Sequence, residues 1–144
     1  APAFGYRFDY KGRSALISGD TAYTPVLAKA CNGCDLLVHE ALNPEMVAKI
    51  GGALKKRGNK RLAKIMSDIP GYHASPVEAA RTAHDGKAKM LVLTHIVPAL
   101  PSKLLEAYFV NGTTAVYDGP IIVGHDRMLF SLPAGKAGIV RKAL

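Results

Sequence analysis

Apolar residues gather in short unbroken runs instead of following one period along the chain. Asp35 to Val38 and Lys89 to Leu93 carry such runs, Leu36-Leu37-Val38 and Met90-Leu91-Val92-Leu93. Unbroken runs of this length are expected where a parallel sheet is covered by helices. Phe4-Gly5-Tyr6-Arg7-Phe8-Asp9-Tyr10 instead alternates aromatic with other residues, which predicts a strand. Lys11-Gly12 turns it back into Ser14 to Ser18, the second arm of a hairpin.

Helix signals lie between these runs. Thr24-Pro25 opens a helix over Pro25 to Ala30, closed by Asn32-Gly33. Ser75-Pro76-Val77-Glu78 supplies an N-cap, a first-turn proline and the glutamate of a capping box, for a helix ending near Asp85-Gly86. A helical stretch from Pro44 to Ile50 should be interrupted at Gly51-Gly52. Ile69-Pro70-Gly71 reads as a turn, Ser102 to Val110 as a helix, and Ala115 to Tyr117, Ile121 to Val123 and Met128 to Phe130 as short strands. Alternating strands and helices predict an α/β architecture, taken as a single domain over residues 1–144.

Composition narrows this little. With 49% hydrophobic and 21% charged residues the chain is ordinary for a globular protein, which excludes global disorder. No apolar run has the length of a membrane span. Ala1-Pro2-Ala3-Phe4 lacks the basic and apolar regions of a signal peptide, and without an initiator Met the chain reads as a processed product or a fragment.

The net charge of +8 favours anionic partners. Its densest cluster runs from Leu54 to Lys64 through Lys55, Lys56, Arg57, Lys60 and Arg61. That cluster is either a phosphate-tracking surface or the solvated face of a surface helix, and it has no interleaved aromatics for base stacking. Cys31 and Cys34 follow a helix instead of opening one, and no second pair exists. They are therefore expected to be small residues in a helix-to-strand turn, without a redox or zinc role.

The chemistry-bearing pattern lies at strand ends. Ala15 to Gly19 leads into Asp20, Leu36-Leu37-Val38 into His39-Glu40, and Leu91 to Thr94 into His95. Ligands gather beyond the carboxyl ends of such strands, and imidazole and carboxylate are ligands for zinc, manganese or iron. His73, between the Pro70-Gly71 turn and the Ser75 cap, is a fourth candidate; His84 and His125 read as surface residues. Singly, Asp20 could be a helix cap and His95 a core histidine; the repeated pattern favours a site.

In order along the chain these motifs resemble the ribonuclease Z branch of the metallo-β-lactamase superfamily, which includes arylsulfatase-like and phosphodiesterase-like members. Pro2-Ala3-Phe4-Gly5-Tyr6-Arg7-Phe8, Ser18-Gly19-Asp20-Thr21, His39-Glu40-Ala41, His73-Ala74-Ser75 and Leu93-Thr94-His95 carry the resemblance, and Asp118-Gly119-Pro120 to Phe130 looks like the closing strands. Leu42, Ala74 and Ser75 depart from the family pattern His-Glu-Ala-Thr and His-Ser-Thr. The resemblance implies the C-terminal half of a metallo-β-lactamase αββα sandwich. It implies that Asp20 bridges two divalent metal ions, zinc first and manganese or iron as alternatives, and that His95 completes the ligand shell of the second metal. His73 would stabilise or protonate the departing oxygen, oriented by Glu40, with His39 positioning its loop.

The family's His-x-His-x-Asp-His motif does not occur in these residues. The chain is therefore expected to be inert alone and to need the missing N-terminal half, a second chain or self-association as a homo-oligomer. The expected reaction is metal-dependent hydrolysis of an anionic ester, a phosphodiester such as RNA or a sulfate ester. The alternative is a non-catalytic, basic nucleic-acid-binding module on a degenerate form of the same fold.

Overall fold

The computed structural model describes residues 3–143. Pro2, the second residue of the first family-like segment, lies outside them. Five strands form one sheet: β1 (Tyr6–Tyr10), β2 (Arg13–Ile17), β3 (Leu36–Leu42), β4 (Leu91–Val97) and β5 (Ile121–Val123), in the order β1-β2-β3-β4-β5. The β1–β2 hairpin is antiparallel and every other pairing is parallel. A second, two-stranded sheet pairs β6 (Met128–Ser131) with β7 (Val140–Ala143). Strand β7 escapes sequence reading because Val-Arg-Lys-Ala has no alternating apolar face and all four residues are exposed.

Helices α1 (Pro25–Cys31) and α4 (Pro76–Asp85) cover one face of the sheet. Leu16, Leu37, Leu91 and Leu93 point into them and join Leu27, Ala79 and Ala83 in one buried cluster. Both helices start as the sequence indicates: Thr24 accepts from the Val26 N–H, and Ser75 and Glu78 close a capping box. The opposite face is far less covered. Tyr6, Phe8 and Tyr10 stand exposed on β1, with Ile17 of β2 paired to Tyr6.

The remaining helices are α2 (Pro44–Lys56), α3 (Lys60–Asp68) and α5 (Lys103–Phe109). Gly51-Gly52 does not interrupt α2. Asn43 caps its start by accepting from the Met46 N–H, and α3 packs along it. The bare Gly51 permits this approach, since a Cβ there would stand 3.1 Å from Met66 Cβ. Helix α3 itself has no buried residue and leans on α2 and the following 3-10 turn, Ile69–Gly71.

Three further expectations need correction. Ala115 to Tyr117 is no strand: a 3-10 turn occupies Thr113–Ala115, and Tyr117 is buried, its hydroxyl donating to the Ala88 carbonyl at 2.8 Å. Cys31 and Cys34 are more than small turn residues, because they form a buried disulfide across the left-handed Asn32 and Gly33. Finally, β3 and β4 do not stop before their polar residues; both run through them, to Leu42 and Val97.

At the amino end of the parallel strands Asp35 is almost wholly buried. It accepts from the Ser14 N–H and the Lys89 ammonium, both at 2.8 Å, and faces Arg13 Nε at 3.1 Å. Arg13 also donates to the carbonyls of Lys136 and Gly138. Burial by itself would raise the Asp35 pKa, but these donors and charges outweigh it and hold the carboxyl below its ordinary value.

Candidate functional site

The carboxyl end of the sheet gathers the polar residues, and an irregularity in β4 arranges them. Glu40 pairs with Thr94 and Ala41 with Ile96, so His95 is the extra residue opposite that step. It adopts φ +43°, a left-handed conformation that side chains other than glycine disfavour. A bulge of this kind redirects one side chain out of the alternation. Here it leaves the His95 side chain 50% exposed at the sheet end, two residues after the buried Leu93.

Asp20 arrives by another sharp turn. Gly19 has φ +66°, and any side chain there would collide with the Phe4 carbonyl, so glycine is required where β2 passes the start of β1. Ser18 locks this turn to β3: its N–H donates to the Val38 carbonyl, and its hydroxyl accepts from the Glu40 N–H at 3.0 Å. Asp20 Oδ1 then lies 3.2 Å from His95 Nδ1, with both side chains open to solvent.

Glu40 is buried beneath them. One carboxylate oxygen accepts from the N–H groups of Ala74 (2.8 Å) and Thr21 (3.3 Å); the other faces His73 Nδ1 at 3.2 Å. Burial pushes the Glu40 carboxyl up, while the Ala74, His73 and Thr21 contacts pull the other way. One carboxylate thereby joins the loop after β2 to the loop before α4. The departures at Leu42 and Ala74 are tolerated because both positions act through the backbone. The Leu42 N–H donates to the Ala74 carbonyl at 2.8 Å, and both side chains fill core space.

The four residues Glu40, His73, His95 and Asp20 therefore form a row from buried to open. The His73 and His95 rings lie 5.6 Å apart, and ligand atoms of Glu40, His73 and His95 come within 4.8 Å of one another. His39 is excluded from the row. It points to the helix-covered face, its Nδ1 2.7 Å from the Glu40 carbonyl, and burial depresses its pKa. His84 is exposed near the end of α4, and His125 Nε2 pairs with Glu106 at 3.1 Å. Tyr72 was not singled out from sequence; it is exposed, and its ring centroid is 5.1 Å from that of His73.

The donor set suits a divalent ion. Two ligands of one tetrahedral zinc, with bonds of about 2.0–2.1 Å, stand about 3.3 Å apart, close to the Asp20–His95 separation. Among the described residues neither of these side chains has another side-chain partner, whereas the Glu40 oxygens are already engaged. Asp20 and His95 are thus suited to ligation, and Glu40 to orienting His73.

Comparison with known proteins bears on the same segment. A family model described as a β-lactamase superfamily domain matches residues 1–96, which contain all four residues of the row. Ribonuclease Z of Mycobacterium avium (strain 104) is 38% identical over 100 residues, covering 69% of this chain and 32% of that protein. A putative ribonuclease Z of Mycobacterium tuberculosis (strain CDC 1551 / Oshkosh) is 33% identical over 125 residues, covering 87% and 50%. The chain thus spans a third to a half of the length of these relatives.

Among solved structures, human tRNase Z, short form (ELAC1), superposes with a TM-score of 0.55 at 25% identity, over 92% of this chain and 38% of that one. The metallo-β-lactamase fold protein YhfI of Bacillus subtilis superposes with the same TM-score at 15% identity, over 96% and 44%, and speaks for the fold alone.

Proposed function

The chain belongs to the metallo-β-lactamase superfamily and is ribonuclease Z-like, and from that premise we propose that it carries the acid–base side of a metal-dependent phosphodiester hydrolase. The observation that supports this reading best is the Glu40–His73–His95–Asp20 row, placed at one sheet end by a bulge and a glycine turn.

Asp20 and His95 would hold divalent metal, zinc by the chemistry of the set, with Asp20 able to bridge two ions. When bound, such ions supply Lewis acidity toward the ester oxygens and an acidified water as nucleophile. The chain's own residues handle the departing group. With its proton on Nδ1, His73 would donate to Glu40 Oε2, which fixes the ring's orientation and leaves Nε2 with no side-chain partner among the described residues. As the imidazolium, with a proton on each ring nitrogen, His73 would give its Nε2 proton to the leaving oxygen as the phosphorus–oxygen bond breaks, and would remain as the neutral Nδ1–H ring held by Glu40. Thr21 and Ala74 hold the Glu40 carboxylate in place for this role.

Catalytic zinc sites use about three protein ligands each, and this chain offers two for the whole centre. The further ligands would come from residues outside these 144 or from a second chain. The isolated chain is expected to turn over ester at a rate near background. The test is metal-dependent hydrolysis of bis(4-nitrophenyl) phosphate and precursor transfer RNA, with an aryl sulfate as counter-substrate, by the protein with its full ligand set. His73→Ala should lower kcat by about 10²–10⁴-fold, and Glu40→Gln by about 10- to 100-fold. Undiminished phosphodiester turnover by His73→Ala would contradict the assignment.

A further inference from the structure

The α2–α3 hairpin takes no part in the row of site residues, yet it carries the densest charge of the molecule. Between Glu45 and Asp68 there is no carboxylate, while Lys49, Lys55, Lys56, Arg57, Lys60, Arg61 and Lys64 all fall there. A merely solvated helix surface tends to mix signs. Helix stability does not account for the placement either. Lys55 and Lys56 complement the dipole at the end of α2, but Lys60 and Arg61 sit in the first turn of α3, which has no acidic residue, where the dipole opposes them.

The packing adds a shape to the charge. A cleft of about 530 Å³ lies between the two helices, floored by Ala48, Gly51, Ala63 and Met66 and flanked by Lys55, Lys60 and Lys64. Lys64 is shared with Asp68 at 2.9 Å; neither Lys55 nor Lys60 has a carboxylate partner among the described residues. Pro70 forms part of the cleft wall, and two residues on Tyr72 presents an exposed ring beside His73. One short turn, Ile69–Gly71, therefore separates the cleft wall from Tyr72 and His73 along the chain, and Tyr72 supplies an aromatic ring that the basic segment itself lacks.

We propose that the α2–α3 cleft binds the phosphate backbone of single-stranded RNA and that Tyr72 stacks a base as the strand passes from the cleft to His73. Cations spaced along a groove next to an aromatic ring are what single strands require. A duplex would offer Tyr72 no free base face. The choice of RNA rests on the hydrolase reading; the backbone contact does not.

The test is fluorescence anisotropy of a short labelled single-stranded RNA with the full chain over a series of KCl concentrations. Each lost phosphate contact flattens the log–log salt slope by about 0.7. K55E/K60E/K64E should therefore weaken binding roughly 100-fold near 0.1 M salt and flatten the slope by about 2. Tyr72→Ala should weaken it about tenfold or more with the slope unchanged. K29E/K87E/K136E makes the same change in net charge away from the hairpin and should leave the slope intact. Equal losses in the two triple variants overturn the proposal, as does a wild type that prefers duplex or binds no RNA. Binding is read without turnover, so a chain that binds in this way while the complete centre cleaves no phosphodiester refutes the hydrolase reading and leaves the cleft standing.

Discussion

The two ends of the parallel sheet present opposite solutions for polar side chains. At the amino end, Asp35 is buried with a backbone N–H, a lysine and an arginine around it. At the carboxyl end, Asp20 and His95 face each other in the open, on backbone turned into the left-handed region at Gly19 and His95. The first arrangement engages both carboxylate oxygens to tie three strand ends together. The second leaves donors unspent and accepts strain to point them outward. Stability should therefore depend on the Asp35 end and function on the Asp20 end, and each can be disturbed separately.

The largest effect is expected at Asp35. Asp35→Ala leaves Arg13 buried beside no carboxylate, a change that typically costs about 3–5 kcal/mol, read from the denaturant midpoint. The pH dependence has a definite sign. Because the folded state holds the Asp35 carboxyl below its ordinary 3.8, the native state favours the charged form. Its contribution is complete above that unfolded value and is lost as pH falls through the lower folded value. The stability gap between wild type and Asp35→Asn should therefore be widest near neutral pH and narrow below about pH 4. A gap that stays constant through that range would show that Asp35 acts by shape and not by charge.

A smaller change of opposite sign is expected at the other end. His95 pays for its outward aim with a left-handed φ, at about 1–2 kcal/mol for a residue with a side chain. His95→Gly should relieve that and raise stability by about 1 kcal/mol while removing the proposed ligand. Loss of stability would mean that the exposed ring contributes packing that its environment does not suggest.

The same contrast explains what the sequence made legible. Continuous apolar runs and complete cap motifs located β2 to β5, α1, α4 and α5, because burial and capping are local and patterned. Asp20, Glu40, His73 and His95 stood out because each follows an apolar run or precedes a cap. The strand ends were misplaced for a physical reason: polar His39 and Glu40 look like a loop, yet both are buried inside β3 with their own partners. The bulge at His95 was not readable at all, since Leu-Thr-His-Ile-Val satisfies a regular strand and its irregularity exists only in the register against β3. Gly51-Gly52 misled because its function is the close approach of α3, a tertiary fact. Tyr72 carried no signal beyond being the neighbour of His73.

The central claim is that the bulge and the glycine turn build a metal-ligating pair. The most direct test is histidine-detected NMR of the chain titrated with Zn²⁺, in wild type and Asp20→Asn. The His95 ring resonances should move first and saturate, and Asp20→Asn should weaken this binding markedly, while His39 and His84 stay unchanged in both. If His95 does not respond while His84 or His125 does, or if Asp20→Asn leaves the His95 response intact, then the pair is not a metal site.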